Sequence, residues 1–181
     1  MNESFIIHQL AEDREKYFHA VAPPVIQTSN FAYPTVDEFI HAITNEKDEH
    51  IYTRGNNPTV TMLAQKMAAL EGAEDCLMVG SGAAAITNAV MSQVNAGDHI
   101  ISVRNPYTWA AHLMTKILTR FGIETTFVDG TNIRNFENAC TGKTKLIYLE
   151  SPNSWTFELQ DLAAIAKFAK AEGIVTVIDN S

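Results

Sequence analysis

Short apolar runs alternate with stretches of helical periodicity from about residue 59 to the end of the chain. Apolar side chains recur at helical spacing in five ranges, 59–70, 82–94, 109–120, 132–140 and 159–171. Short apolar runs typical of strands cover 76–79, 99–103, 124–128, 146–149 and 175–178. Strands that alternate with helices form βαβ units, and strands that are apolar on both faces belong to a covered parallel sheet. The pattern therefore predicts the α/β class, with a largely parallel sheet and flanking helices.

The first 50 residues have no such alternation. Prolines interrupt any long element there, and only 36–44 has the spacing of a short helix. A segment of this kind buries little of its own surface. We therefore predict an extended N-terminal arm over 1–50 that lies on another surface, followed by a domain over 51–181.

The composition is that of an ordinary globular protein, with 46% hydrophobic residues in 181. The net charge is −8 and Lys and Arg do not cluster, which excludes a basic surface for nucleic acids. Neither a signal peptide nor a stretch of membrane-spanning length is present. Cys76 and Cys140 lack metal-ligand spacing, so no metal site is predicted. We expect a cytoplasmic protein without nucleic-acid or membrane partners.

Candidate binding residues follow the predicted strands, because ligands of parallel sheets bind beyond the carboxyl ends of the strands. The run from Gly80 to Ala85 follows the first predicted strand and opens a helix. Its small residues let a ligand approach the backbone, and free N–H groups at a helix N-terminus attract an anion. We therefore favour a phosphate site over a plain strand-to-helix turn.

The same run also fits the dinucleotide fingerprint G-x-G-x-x-A, which leads to an alternative hypothesis of an NAD(P)-binding oxidoreductase. That fingerprint requires an acidic residue at the end of the second strand, where it binds the ribose. Arg104 and Asn105 occupy that place, and Asp98 precedes the strand. The fingerprint therefore lacks its acidic partner.

Three side chains, two near other strand ends and one ahead of the predicted helix at 59–70, suit a flat, phosphorylated cofactor. Tyr107 could stack on a ring or move protons, although a lone Tyr at a helix start is more often a core residue. Asp179 could pair with a protonated pyridine nitrogen or cap a following helix. Arg54 suits phosphate, or is a surface charge.

Taken together, five motifs resemble the sequence pattern of the Cys/Met-metabolism enzymes that depend on pyridoxal 5'-phosphate (PLP). This family includes cystathionine γ-synthase and methionine γ-lyase. The matching residues are Tyr52, Arg54, Asn57, Pro58 and Thr59, then Ser81 to Ile86, Tyr107, Glu150 to Pro152, and Asp179 to Ser181. The resemblance implies the front part of the large domain of a PLP-dependent transferase of fold type I.

The resemblance also implies roles at the cofactor. Ser81 and the N–H groups of Gly82 and Ala83 would hold its phosphate. Tyr107 would stack over its ring and assist proton transfer, which makes it the candidate catalytic residue. Asp179 would pair with its pyridine nitrogen.

Two departures from the family pattern concern the substrate side of the site. The family has two glycines after its tyrosine, where this chain has Thr108 and Trp109. The family's asparagine near the phenolic oxygen of the cofactor aligns with Ser154, whereas the chain's own asparagine lies one position earlier, at Asn153. Asn153 and Ser154 therefore both stay candidates for binding the cofactor.

The family's active sites lie between subunits, which implies a partner for this chain. Tyr52 and Arg54 would reach the cofactor phosphate of a neighbouring subunit, and the N-terminal arm would lie across that subunit. We expect a homo-oligomer, a dimer of dimers with shared active sites.

The function implied by the resemblance is elimination or replacement at the β- or γ-carbon of a sulfur amino acid or an activated homoserine. The Schiff-base lysine of the family is expected about one βα segment beyond Ser181. The 181 residues alone are therefore expected to be inactive. A second alternative is a non-catalytic piece that oligomerises with a full-length partner.

Overall fold

A computed structural model describes all 181 residues. The chain divides into two compact units, Met1–Met78 and Val79–Ser181. The predicted division at residue 50 concerns function, an intersubunit arm and a cofactor-binding domain, and it stays a prediction. No helix is both long enough and apolar enough to cross a membrane.

The first unit is built from short helices. They are α1 (Glu3–His8), a 3₁₀-helix (Arg14–Tyr17), α2 (Val36–Thr44) and α3 (Pro58–Glu71). The sequence predicted α2 and α3, whereas it missed α1 and the 3₁₀-helix. Helices of four to six residues are not stable alone and depend on packing. For α1, burial of Ile6 and the contact with α3 supply that packing, which no local pattern reveals.

The start of α3 explains the structural part of the Asn-Pro-Thr motif. Asn57 is buried, and its Oδ1 accepts a hydrogen bond from the Thr59 N–H at 2.9 Å. Its Nδ2 donates to the Ile26 carbonyl at 3.0 Å. Pro58 takes the first helical position, where its missing N–H costs nothing. The motif therefore caps a helix and fastens it to the extended segment before it.

The second unit contains a four-stranded parallel sheet, which confirms the predicted fold class. Its strands are β1 (His99–Val103), β2 (Glu124–Val128), β3 (Thr144–Glu150) and β4 (Val175–Asp179), in the spatial order β2-β1-β3-β4. In register, Ile101 lies opposite Thr126 on one side and Ile147 on the other, and Ile147 lies opposite Thr176. The central strands β1 and β3 are almost entirely buried, whereas the edge strands β2 and β4 are partly exposed.

Helices cover both faces of this sheet. They are α4 (Gly82–Met91), α5 (Thr108–His112), which continues as a π-helix (Leu113–Ile117) and a 3₁₀-helix (Leu118–Phe121), then α6 (Ile133–Ala139) and α7 (Leu162–Ala171). Leu146 and Tyr148 pack in one cluster with residues of α4, α5 and its continuation. Ile147 and Leu149 pack in a second cluster with α6 and α7. Alternate residues of β3 therefore serve two hydrophobic cores.

The predicted strand at 76–79 is wrong, because these residues form no strand. A strand needs a neighbour for its backbone hydrogen bonds. The sheet has only four strands, and this segment pairs with none of them. Leu77 is accordingly 77% exposed.

Two predicted helices also have different bounds. The predicted helix at 159–171 begins at Leu162, because Asp161 caps it by accepting from the Ala164 N–H at 3.0 Å. The predicted helix at 82–94 ends at Met91. Apolar residues outside these helix ends keep helical spacing in the sequence, although they are not part of the helix.

A buried histidine joins three strands at the amino end of the sheet. The His99 Nδ1 lies 2.8 Å from the Thr144 Oγ1, and its Nε2 lies 2.9 Å from the Thr126 Oγ1. Burial lowers the pKa of His99, and the nearby Glu124 carboxylate opposes that shift only in part. The ring therefore stays neutral in the folded protein at a pH where a free histidine is charged.

We expect the free energy of unfolding to fall as the pH drops below about 6.5, the usual histidine pKa. In that range the unfolded chain binds a proton that folded His99 does not, so acid favours unfolding. His99→Gln should reduce this dependence, measured by urea unfolding between about pH 5 and 7.5. His112→Gln removes an exposed histidine and serves as the control. An equal acid dependence in His99→Gln and the wild type would contradict the prediction.

Candidate functional site

The carboxyl ends of β1, β3 and β4 meet at one edge of the sheet, because the three strands are parallel and adjacent. The loops that follow them carry Tyr107, Ser154 and Ser181. Glu150 and Asp179, the last residues of β3 and β4, lie opposite each other in register. The predicted site residues of the second unit that follow these strands therefore share one edge.

Glu150 connects two of these loops. Its side chain is buried, and its Oε2 accepts from the Tyr107 N–H at 2.6 Å. Its Oε1 accepts from the Ser154 N–H, also at 2.6 Å. Sequence reasoning used Glu150 only as part of a motif and missed this function. The available signal was a carboxylate at the end of an apolar strand, which must find partners when it is buried.

Asn153 makes a second connection between the same loops. Its buried Nδ2 donates to the carbonyls of Arg104 and Asn105, at 3.1 and 3.2 Å. Its Oδ1 accepts from the N–H groups of Trp155 and Thr156 and from the Thr156 hydroxyl. The hydrogen bonds of the Asn153 amide are thus already made within the protein.

Ser154 differs from Asn153 in its surroundings. Its side chain is exposed, and its hydroxyl makes no hydrogen bond within residues 79–181. Of the two candidates, Ser154 is the one with a free polar group at the site. Which of them binds a cofactor stays a prediction.

The N-terminus of α4 is open and has free donors. Ser81 caps the helix, and its Oγ accepts from the Ala84 N–H at 3.2 Å. The N–H groups of Gly82 and Ala83 have no acceptor within residues 79–181. A Cβ on Gly80 or Gly82 would meet no atom within 4 Å. An anion can therefore approach the two free N–H groups closely.

Asp179 offers one free carboxylate oxygen. Its Oδ1 accepts from the Ser181 N–H at 3.1 Å and from the Ser181 hydroxyl at 2.8 Å, while its Oδ2 has no partner within residues 79–181. The buried Tyr148 hydroxyl near it has no hydrogen-bond partner either. Burial raises the pKa of Tyr148, and the Asp179 and Glu150 carboxylates raise it further. The free Oδ2 of Asp179 is therefore an acceptor that a protonated donor can reach.

Tyr52 and Arg54 lie in the first unit. The Arg54 guanidinium carbon lies 4.8 Å from the centre of the Tyr52 ring, a cation–π contact. Both residues are exposed, and Arg54 donates to no acceptor within residues 1–78. The guanidinium donors are therefore available within this unit for an external anion.

A polar cavity of about 190 Å³ lies beside the ends of β1 and β2. Its lining includes Arg104, Asp129, Gly130, Asn153, Glu158 and Gln160. Hydrogen bonds from the Thr131 hydroxyl and N–H lower the pKa of Asp129. Gly130 has the tightest surroundings, since a Cβ there would lie 2.8 Å from the Val103 Cγ1 and 2.9 Å from the Gln160 Cγ.

Comparison with known proteins decides the family. The family model described as Cys/Met metabolism PLP-dependent enzyme matches residues 3–181. The chain belongs to this family. The resemblance found in the sequence motifs is thereby confirmed.

Two curated relatives show what share of a full-length protein this chain covers. L-methionine gamma-lyase of Treponema denticola is 37% identical over 166 residues, which are 91% of this chain and 41% of that protein. Cystathionine gamma-lyase of Bacillus subtilis is 36% identical over 162 residues, 90% of this chain and 40% of that protein. The chain thus spans about two fifths of the length of these relatives.

A solved structure of the Cys/Met type confirms the fold. It is that of a proposed O-acetylhomoserine (thiol)-lyase from Campylobacter jejuni, with a pyridoxyl-lysine phosphate at its position 205. The TM-score is 0.91 at 25% identity, over 100% of this chain and 44% of the other.

The residues of the second unit fit the family's cofactor. PLP has a phosphate, a flat ring and a ring nitrogen that can carry a proton. The free N–H groups of Gly82 and Ala83 suit the phosphate, and the free Oδ2 of Asp179 suits the protonated nitrogen. Tyr107 is 38% exposed, and its ring can stack on a second ring.

We expect Gly130→Ala to destabilise the protein by about 1–3 kcal/mol, since the added methyl group overlaps the buried Val103 side chain. Urea unfolding would measure the loss. Gly142→Ala is the matched control, because a Cβ there meets nothing within 4 Å. Equal midpoints for the two variants would contradict the expected overlap.

Proposed function

We propose that the protein carrying this chain is a PLP-dependent enzyme that eliminates or replaces a substituent at the β- or γ-carbon of an amino acid. The substrate class is a sulfur amino acid or an activated homoserine. When bound, PLP supplies an electron sink for the negative charge that develops on the substrate. The observations that carry the proposal are the free N–H donors at the start of α4 and the free carboxylate oxygen of Asp179, in a chain of this family.

The second unit would contribute most of the cofactor contacts. Gly82 and Ala83 donate their N–H groups to the phosphate, with Ser81 holding the helix start in place. Asp179 accepts from the protonated ring nitrogen and keeps it charged. Ser154 offers its free hydroxyl to the phenolic oxygen, while Asn153 supports the loop.

Tyr107 would be the catalytic residue of this chain. Its ring stacks on the cofactor, and its hydroxyl, which has no hydrogen bond within residues 79–181, receives or delivers a proton. Trp109, two positions on, is 57% exposed and would narrow the space for the substrate where the family has glycine. The neighbouring loop brings Trp155, 66% exposed, to the same edge.

The active sites would be shared between subunits. Arg54 donates to the phosphate of a neighbouring subunit, beside the Tyr52 hydroxyl, and the assembly is a dimer of dimers. The free donors of Arg54 support this arrangement. So does α2, whose side chains Val36, Phe39, Ile40 and Ile43 are 40–72% exposed and would be covered when the arm lies on a partner. The assembled enzyme would act in the cytoplasm.

The names of the relatives support a substrate class rather than one substrate. The two lyases are named for methionine and cystathionine, and the Campylobacter protein for O-acetylhomoserine. All three substrates carry a leaving group on the γ-carbon, and all three proteins are named lyases. We therefore propose a substrate class, a sulfur amino acid or an activated homoserine, and do not name a single substrate.

Gly82→Pro tests the phosphate contact in the full-length protein. Proline is favoured at the first helical position, and Ser81 already has the extended backbone that a following proline requires. The variant should fold and lose one charge-assisted hydrogen bond, which lowers PLP affinity by about tenfold or more. A spectroscopic PLP titration would measure it.

Gly82→Ala is the control for that experiment, because it keeps the N–H and adds a methyl group in open space. Its affinity should stay near that of the wild type. Unchanged PLP affinity in Gly82→Pro would show that this N–H does not bind the phosphate. A wild-type protein that binds NAD(P) and no PLP would replace the proposed function by the dinucleotide alternative.

Shared active sites can be tested by mixing two inactive variants, Arg54→Ala and Asp179→Ala. A mixed dimer holds one doubly defective site and one intact site. Random pairing makes half of the dimers mixed, so about a quarter of the wild-type activity should return after joint refolding. The measurement is turnover before and after mixing. No recovery would show that both residues serve the same subunit's site.

A further inference from the structure

We propose that Glu150 is the positioning residue that sets Tyr107 and Ser154 in the site, an inference that rests on the proposed function. The family pattern contains this glutamate, but the pattern alone assigns it no task. The structure shows a task, because both of its oxygens bind the backbone of residues expected to contact the cofactor.

The burial of Glu150 makes these contacts obligatory. Only 2% of the residue is exposed, and no basic side chain of residues 79–181 forms an ion pair with it. A buried carboxylate is costly unless hydrogen bonds replace its lost water. Two N–H donors at 2.6 Å supply them. The carboxylate and the two loops therefore stabilise each other.

Few other interactions could place Tyr107. It precedes the five-residue helix α5, and its side chain makes no hydrogen bond within the unit. Asn105, two residues earlier, has a left-handed backbone with φ of 51°, and Pro106 has no N–H to donate. The Tyr107 carbonyl accepts from the Ala111 N–H at 3.0 Å, which ties the residue to the start of α5. The Tyr107 N–H is the group that ties it to the end of β3, with Glu150 as the acceptor.

The effect of losing Glu150 should be local. Asn153 still holds the carbonyls of Arg104 and Asn105, so the two loops stay connected without the glutamate. What is released is one backbone contact in each loop, at Tyr107 and at Ser154. Because Glu150 is buried, it acts through these residues and does not itself touch substrate or cofactor.

Glu150→Gln and Glu150→Asp separate position from charge. The glutamine keeps one acceptor and turns an NH₂ group towards an N–H donor, so one of the two bonds is lost. The aspartate keeps the charge but is one methylene shorter. If position matters, both variants should resemble each other and differ from the wild type. Glu137→Gln, which removes an exposed charge on α6, is the control.

The first measurement is amide hydrogen exchange, resolved by NMR. In the wild type the N–H groups of Tyr107 and Ser154 should be protected. In both Glu150 variants exchange should be about tenfold faster at one or both of these amides, as expected for one lost bond to a charged acceptor. Glu137→Gln should exchange like the wild type. Fast exchange at both amides in the wild type would overturn the proposal without any variant.

The second measurement is the circular dichroism of bound PLP in the full-length protein, which responds to the placement of the ring above it. We expect Glu150→Gln and Glu150→Asp to change this signal and to lower kcat more than they raise KM. A wild-type signal in both variants would overturn the positioning role. So would an altered signal in Glu150→Gln with a normal one in Glu150→Asp, because that result assigns the effect to charge.

The two proposals can fail separately. If the wild type binds no PLP, the proposed function is wrong, while amide exchange still decides whether Glu150 holds the two loops. If PLP binds and the exchange rates do not respond to Glu150, only the positioning role is wrong. Should Glu150→Gln fail to fold, Glu150→Asp and the wild-type exchange rates still decide.

Discussion

The parallel pairing of β1 with β3 is the constraint on which the second unit depends. Both strands are buried on two faces, so each contributes to two hydrophobic clusters at once. Because the two strands are parallel, both end at the same edge of the sheet, and the loops that follow them lie near each other there. The candidate site therefore exists because the core is built in this way, and not because its residues are close in sequence.

Buried polar side chains then connect the loops that follow these strands. Glu150 and Asn153 lie within four residues of each other, and between them they bind backbone groups of Arg104, Asn105, Tyr107 and Ser154. A loop held by buried hydrogen bonds presents its side chains in a defined place, which catalysis and cofactor binding require. The groups left free, the helix N-terminus and one oxygen of Asp179, are those that a phosphorylated pyridine can use.

The first unit shows how one motif can have two tasks. Asn57, Pro58 and Thr59 cap α3 and fasten it to the segment before it. Tyr52 and Arg54, only a few residues away, are exposed and stacked on each other. The same short stretch thus supplies a structural anchor and a free cation. A motif match by itself does not tell these tasks apart, whereas burial and hydrogen bonding do.

The sequence alone determined the fold class and the parallel strands and predicted the family, because apolar periodicity and ordered motifs are local signals. It also identified Ser81, Tyr107 and Asp179 as candidates, since each follows or caps an element that could be recognised. The tertiary structure decided what depends on distant partners. Residues 76–79 have a strand pattern but no neighbouring strand, and Glu150 gains its task from amides that strand pairing brings to it. Only the tertiary structure shows that Asn153 is buried with its amide already hydrogen-bonded, whereas Ser154 is exposed with a free hydroxyl.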